Sequence, residues 1–221
     1  PSRTTTAAST RARPVIRAKK PLFIDKPVAG SLRDAIEIYR LARENNVPVF
    51  SSSSLRYWPS VEKLKAADVG ELKGVISTGP ATIEPTHPDL FWYGIHSTEV
   101  MFTVMGTGCE TVVCTATEDT HVVTGTWKDG KVGTLRGLRN AASPYQLTVF
   151  GSKAVQNDNK LSGDYTPLLR EIMKFFQTGT TPIPPEETIE IIAFMEAADE
   201  SKRQGGCPVK IADVLRKAGA R

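Results

Sequence analysis

The apolar and polar positions of this chain keep three different spacings, and each predicts a different element. Pro21-Leu22-Phe23-Ile24-Asp25-Lys26-Pro27-Val28-Ala29-Gly30 starts as an unbroken apolar run and ends in an acid, a lysine and a proline. A run of that kind predicts a buried strand of a parallel sheet. Pro27 stops it, leaving Lys26 at the carboxyl tip. Ser31 to Asn45 predicts a helix. Ser31 with Asp34 gives a capping-box-like start, and Leu32, Ala35, Ile36, Tyr39 and Ala42 share one face. Asn45-Asn46 is its stop. Val47 to Phe50 is the next strand, followed by four serines. Val61 to Ala67 reads as a short helix, Glu71 to Thr78 as a strand and Thr82 to Pro88 as a loop. Asp89, a capping residue by type, opens an element that runs to Met105. Its apolar stripe is Phe91, Ile95, Thr98, Phe102 and Met105, and Gly106 and Gly108 end it.

From Glu110 the period falls to two. Val112, Cys114 and Ala116 alternate with Val113 and Thr115, Val122 to Trp127 follows, and Asp129-Gly130 predicts a type I′ hairpin turn. Val132 to Leu138 and Tyr145 to Gly151 complete a meander of antiparallel strands that needs cover on one face only. Thr166-Pro167 predicts a helix start, with Leu169, Ile172, Met173 and Phe176 as its apolar face. Pro184-Pro185 opens a last long helix, and Ile211, Val214 and Leu215 give the tail enough to dock. The fold class expected is α+β: a strand–helix–strand unit, then a mostly antiparallel open-faced sheet with helices on one face.

Charge changes this picture little. The net charge of +4 is misleading, because residues 1–20 hold six Arg and Lys and no acid. The rest has 22 basic and 24 acidic residues. Basicity confined to residues 1–12 and their flank argues against a nucleic-acid surface, although a basic arm that binds phosphate stays open as a third reading. That arm is poor in large apolar residues and is expected to be flexible. No run reaches the roughly 20 apolar residues that cross a bilayer, and no apolar segment follows the basic start as in a signal peptide. No membrane role is expected. Three cysteines without a C-x-x-C pair read as free thiols in a reducing compartment, here the cytoplasm, with no metal site.

Two stretches carry chemistry. Lys26 sits where ligands meet the carboxyl ends of parallel strands. His96 and Glu99 lie three apart, close enough to meet on a helix, so that Glu99 could hold the imidazole in one tautomer or raise its pKa. Oxidising an alcohol needs a base, most often His, and a cation beside the forming oxyanion. His96 and Lys26 are the right types. The bland alternatives are a strand cap whose lysine meets solvent and a packed core histidine. Arg56, beside Tyr57 and Trp58, suits a polyol or carboxylate ligand.

Ile24-Asp25-Lys26-Pro27 resembles the Glu-Lys-Pro signature of the Gfo/Idh/MocA oxidoreductases, and Gly94-Ile95-His96-Ser97-Thr98-Glu99 resembles their Gly-x-His-x-x-Asp segment. Arg56-Tyr57-Trp58-Pro59 is similar to their Arg-aromatic-x-Pro. The resemblance implies hydride transfer between NAD or NADP and a sugar or cyclitol. Lys26 and His96 would be catalytic, Asp25, Lys26 and Pro27 would touch cofactor, and Arg56, Tyr57, Trp92, Tyr93 and Glu99 would touch substrate. It also implies a homo-oligomer built through the sheet. Two departures stand out. Trp92 occupies the place of an acid four residues before the histidine, and no Gly-x-Gly-x-x-Gly phosphate cradle occurs in the 221 residues. The expectation is therefore a C-terminal portion. Residues 13–55 would be the remnant of a dinucleotide-binding domain and residues 56–221 a substrate and oligomerisation domain. Such a short chain could lack turnover. The rival is a non-catalytic ligand-binding or oligomerisation module.

Overall fold

In a computed structural model, which describes residues 3–220, with the side chains of Arg3–Ala8 left aside, a small parallel sheet leads into a large mixed one. The chain enters through α1 (Arg3–Arg17). The expected unstructured arm to Ala12 is thus helical from Arg3, and Pro1 and Ser2 lie outside the described residues. The reason is Ala12 and Ile16, one turn apart and 5% and 1% exposed. They give the helix a face to bury. Arg13 Nη2 then donates to Glu37 Oε1 at 2.9 Å.

β1 (Leu22–Asp25), α2 (Leu32–Asn45) and β2 (Val49–Ser52) form the strand–helix–strand unit. β1 and β2 pair in parallel, Leu22 on Val49 through Asp25 on Ser52. The Ser31 hydroxyl accepts from the Asp34 N–H at 3.2 Å, and Asn46 closes α2 in the left-handed conformation at φ 54°. Two expectations shift. Ile38, not Ile36, is the isoleucine α2 buries. β1 is half-buried rather than buried, while β2 beside it is buried throughout.

A 3-10 turn, Ser54–Tyr57, leads to α3 (Pro59–Lys65), β3 (Leu72–Pro80) and α4 (Gly94–Met105). Asp89 does not cap α4, which starts five residues later. β4 (Cys109–Ala116), β5 (Thr120–Trp127), β6 (Val132–Leu138), β7 (Gln146–Gly151) and β8 (Val155–Asp158) follow. The hairpin at Asp129-Gly130 has positive φ only at Gly130. The Trp127 N–H bonds the Lys131 carbonyl and the Gly130 N–H the Trp127 carbonyl. This is a three-residue loop closed by a glycine bulge rather than a two-residue type I′ turn. α5 (Thr166–Thr178), α6 (Pro185–Arg203), β9 (Val209–Lys210) and α7 (Ile211–Ala218) end the fold.

The seven-stranded sheet has the order β8-β7-β3-β6-β5-β4-β9. It is not a simple meander, because β3 inserts between β6 and β7 and runs parallel to β6. α4 and α6 pack on one face, with Phe102, Trp127 and Phe194 in mutual ring contact. Nearly every α4 residue is buried, including the polar His96, Ser97, Thr98 and Glu99. α5 reverses the expectation: it buries Leu168 and Phe175 and leaves Leu169, Met173 and Phe176 more than half exposed. Phe175 is drawn in by Phe50 of β2, ring centroids 4.8 Å apart.

Candidate active site

The parallel register brings two chain ends together. Asp25 and Ser52 are paired, so Lys26 and Ser53 leave the carboxyl edge of the small sheet side by side, where ligands meet such sheets. Lys26 Nζ donates to the Trp92 carbonyl at 2.9 Å. It also lies 5.1 Å and 5.7 Å from the centres of the Trp92 and Tyr93 rings, within cation–π range. Burial lowers its pKa, while Asp25 and Glu99 pull the other way. Asp25 itself is exposed and Pro27 half-buried at the strand tip.

α4 carries His96 to the same place. The Tyr93 and His96 ring centres are 5.8 Å apart, so Tyr93 links lysine and imidazole. Tyr145 stands on His96 too, at 5.9 Å. A Cβ at Gly79 would run into Ser97 and the Tyr145 ring, so this approach needs glycine. His96 is 8% exposed. Burial first, and then Lys26, push its pKa down to about 3. The imidazole is neutral at neutral pH.

Its polar partner is not Glu99. His96 Nδ1 lies 2.7 Å from the hydroxyl of Ser53. Glu99 turns instead to the backbone behind the site. Its Oε1 accepts the Ser53 N–H at 2.9 Å and its Oε2 accepts Arg56 Nε at 3.3 Å. Arg56 Nη1 meets Glu187 Oε1 at 2.7 Å. One expectation is corrected by this. Glu99 neither orients nor raises the pKa of His96; three residues apart on a helix brings two side chains near each other, but the carboxylate is claimed by a nearer N–H and a guanidinium. Arg56 and Glu99 are 7% and 4% exposed and form a buried ion network that holds the Ser53 turn against α4. Burial pushes the Glu99 carboxyl up, with Arg56 and the Ser53 N–H opposing. Tyr57 is half-buried beside this network, and burial raises its pKa to about 12, with Arg56 and Ser52 opposing.

The cluster therefore gathers Lys26, Trp92, Tyr93 and His96 of the sequence reading and adds Ser53, Tyr145 and His87, whose ring lies 4.8 Å from that of Trp92. Ser53 stands among four identical residues, which hid it. Tyr145 comes from the far sheet, and no local pattern marked it. A groove of about 790 Å³ lies elsewhere, between α2 and the start of α6, and includes neither Lys26 nor His96. Among the described residues no group of three or more His, Cys, Asp or Glu is placed to hold a metal ion.

No family model matches the sequence, and no curated protein matches it. Solved structures do match the fold. A scyllo-inositol dehydrogenase from Lactobacillus casei superposes with a TM-score of 0.80 at 13% identity, over 94% of this chain and 77% of its own. A myo-inositol dehydrogenase from Corynebacterium glutamicum gives 0.78 at 14% identity, over 93% and 77%. GenD2 of gentamicin A biosynthesis, in complex with NAD, gives 0.79 at 17% identity, over 94% and 76%. The chain shares the fold of these dehydrogenases, which agrees with the resemblance read in the two motifs.

Proposed function

We propose that this chain takes part in hydride transfer between a nicotinamide cofactor and a secondary alcohol of a sugar or cyclitol. The observation that carries the reading is the meeting of Lys26 and His96 around the Tyr93 ring, on a fold shared with inositol dehydrogenases. The residues fit the nicotinamide end of such a cofactor. The Asp25-Lys26-Pro27 turn lies at the carboxyl end of two parallel strands, flanked by flat aromatic rings. The diphosphate end finds no glycine-rich turn in these 221 residues. When bound, the nicotinamide supplies the hydride acceptor.

The chain's own work is on the proton. Lys26 Nζ, already a donor to one carbonyl, has two further N–H groups to place on the reacting oxygen. Its charge favours the alkoxide as the O–H bond weakens. His96 is neutral and its Nδ1 is engaged, so Nε2 takes the alcohol proton as the carbon–oxygen double bond forms. Trp92 and Tyr93 offer flat faces to the C–H groups of a ring substrate. Self-association is proposed through the open face of the large sheet, where Thr148, Ile76, Thr134, Thr124 and Val113 stand in register across five strands.

The test is reduction of NAD or NADP by a panel of cyclitols and sugars. Turnover with at least one, lost in Lys26→Met, is expected; a folded protein that reduces neither cofactor with any of them overturns the reading. A second reading, a binding or oligomerisation module without turnover, is favoured by the missing glycine cradle and by Trp92 in place of an acid. It predicts nicotinamide binding or self-association that Lys26→Met leaves without a catalytic consequence.

A further inference from the structure

We propose that Ser53 is the positioning residue of the site: its hydroxyl pins His96 Nδ1 in either tautomer, so that Nε2 is always the nitrogen presented to the substrate. This rests on the proposed oxidoreductase reading for its consequence, but not for its geometry. Ser53 is fully buried and fixed from three sides. It follows the last residue of β2, its N–H is held by Glu99 Oε1 at 2.9 Å, and its hydroxyl oxygen accepts the Leu55 N–H at 3.2 Å. Only then does the same oxygen meet Nδ1 at 2.7 Å. The buried network of Glu99, Arg56 and Glu187 thereby acts on the imidazole through a serine rather than by touching it.

The choice of a hydroxyl has a chemical consequence. A carboxylate can only accept, so it fixes the proton on the nitrogen it faces. A serine hydroxyl has one hydrogen and two lone pairs. With one lone pair given to Leu55, one donor and one acceptor remain, and either satisfies Nδ1. When Nδ1–H donates to Ser53, Nε2 is bare and can take the proton of an alcohol. The proton gained at Nε2 makes an imidazolium whose Nδ1–H still rests on Ser53, and that Nε2–H is the proton returned to a carbonyl oxygen. When the Ser53 O–H donates to Nδ1 instead, Nε2 carries the hydrogen and holds the substrate oxygen by a hydrogen bond without giving the proton up. The ring need not move between these states. Such a site is poised for both directions of one redox reaction: the alcohol's C–H leaves as hydride to the nicotinamide and its O–H proton goes to Nε2, or both return.

The experiment is nitrogen NMR of the full chain with labelled histidine, assigned by a His96→Asn variant, together with steady-state kinetics. In Ser53→Ala the His96 ring-nitrogen shifts are expected to move. There kcat should fall about tenfold to a hundredfold, as on loss of an orienting partner of a working histidine, with KM changed far less. Ser53→Thr, which keeps the hydroxyl, should restore both. Should Ser53→Ala not fold, Ser53→Cys, close in size but a weak donor, takes its place beside Ser53→Thr. Unchanged ring-nitrogen shifts, or unchanged kcat despite moved shifts, overturn the assignment while leaving Lys26 and His96 as the reacting pair. If no alcohol is turned over at all, the shifts alone decide the role of Ser53, and it is the oxidoreductase reading that has failed.

Discussion

The chain buries two histidines, and they are used in opposite ways. His121, on β5, is 1% exposed; its Nδ1 has a hydrogen-bond partner, and its Nε2 faces a carboxylate at ion-pair distance without a hydrogen bond. Arg139 Nη1 stands 2.7 Å from its Nδ1, and Asp89 Oδ2 stands 3.4 Å from its Nε2. Asp89 also meets Lys202 of α6, and Arg139 donates to the Thr117 and Glu118 carbonyls. This imidazole is a strut that ties the loop before α4, the sheet and α6 together. His96 is almost as buried, yet among the described residues only its Nδ1 has a hydrogen-bond partner. Its other neighbours are rings and the ammonium of Lys26. Burial therefore does not tell the two apart. What differs is their company: an arginine and an aspartate at His121, and a serine hydroxyl, two tyrosine rings and the Lys26 ammonium at His96.

The largest effect expected is kinetic. His96→Asn should lower kcat by about a hundredfold or more, the usual scale of a lost general base. His121→Asn should leave kcat within about twofold, so parallel turnover assays on the two variants break the comparison if they agree. Next comes the network behind the site. Glu99→Gln leaves Arg56 and the Ser53 N–H with a poorer partner in a dry setting, and should cost about 3 kcal/mol of unfolding free energy in urea. His121→Asn should cost less, about 1–2 kcal/mol by the same measurement, since the partners it releases are half-exposed.

The last effect expected is in acid, where it builds up gradually as pH falls. His96 titrates at 6.5 when free and near 3 in the folded chain, so below pH 6.5 the unfolded state binds a proton that the folded state refuses. Its contribution to stability is whole above pH 6.5 and is lost as pH falls toward 3, at up to about 1.4 kcal/mol per unit. His96→Asn should flatten that limb of the stability curve. Asp89 acts lower. His121 first, and then Lys202, hold its carboxyl well below the usual range, so its contribution stands above about pH 4 and is lost in stronger acid. For the same reason kcat should show no inflection near pH 6.5 arising from His96.

How far the sequence showed this is instructive. Lys26 and His96 were legible because each lies in a short motif with its own stop signals. Their meeting was a matter of register: Asp25 opposite Ser52 sends Lys26 and Ser53 out together, and helical spacing alone could not say whether Glu99 would face His96 or the chain behind it. α5 shows the same limit in packing. Leu168 with Phe175, and Leu169 with Met173 and Phe176, are both helical stripes, and only the Phe50 ring decides which is buried. The entry of β3 between β6 and β7 is a long-range pairing that no local period encodes.

The central claim is that Lys26 and His96 act on one oxygen, and a double-mutant cycle on the hydride-transfer rate tests it most directly. Groups that serve one transition state are strongly non-additive, so Lys26→Met with His96→Asn together should be about as slow as the slower single variant. A double variant slowed by the full product of the two single effects would mean two independent roles, and would contradict a shared site.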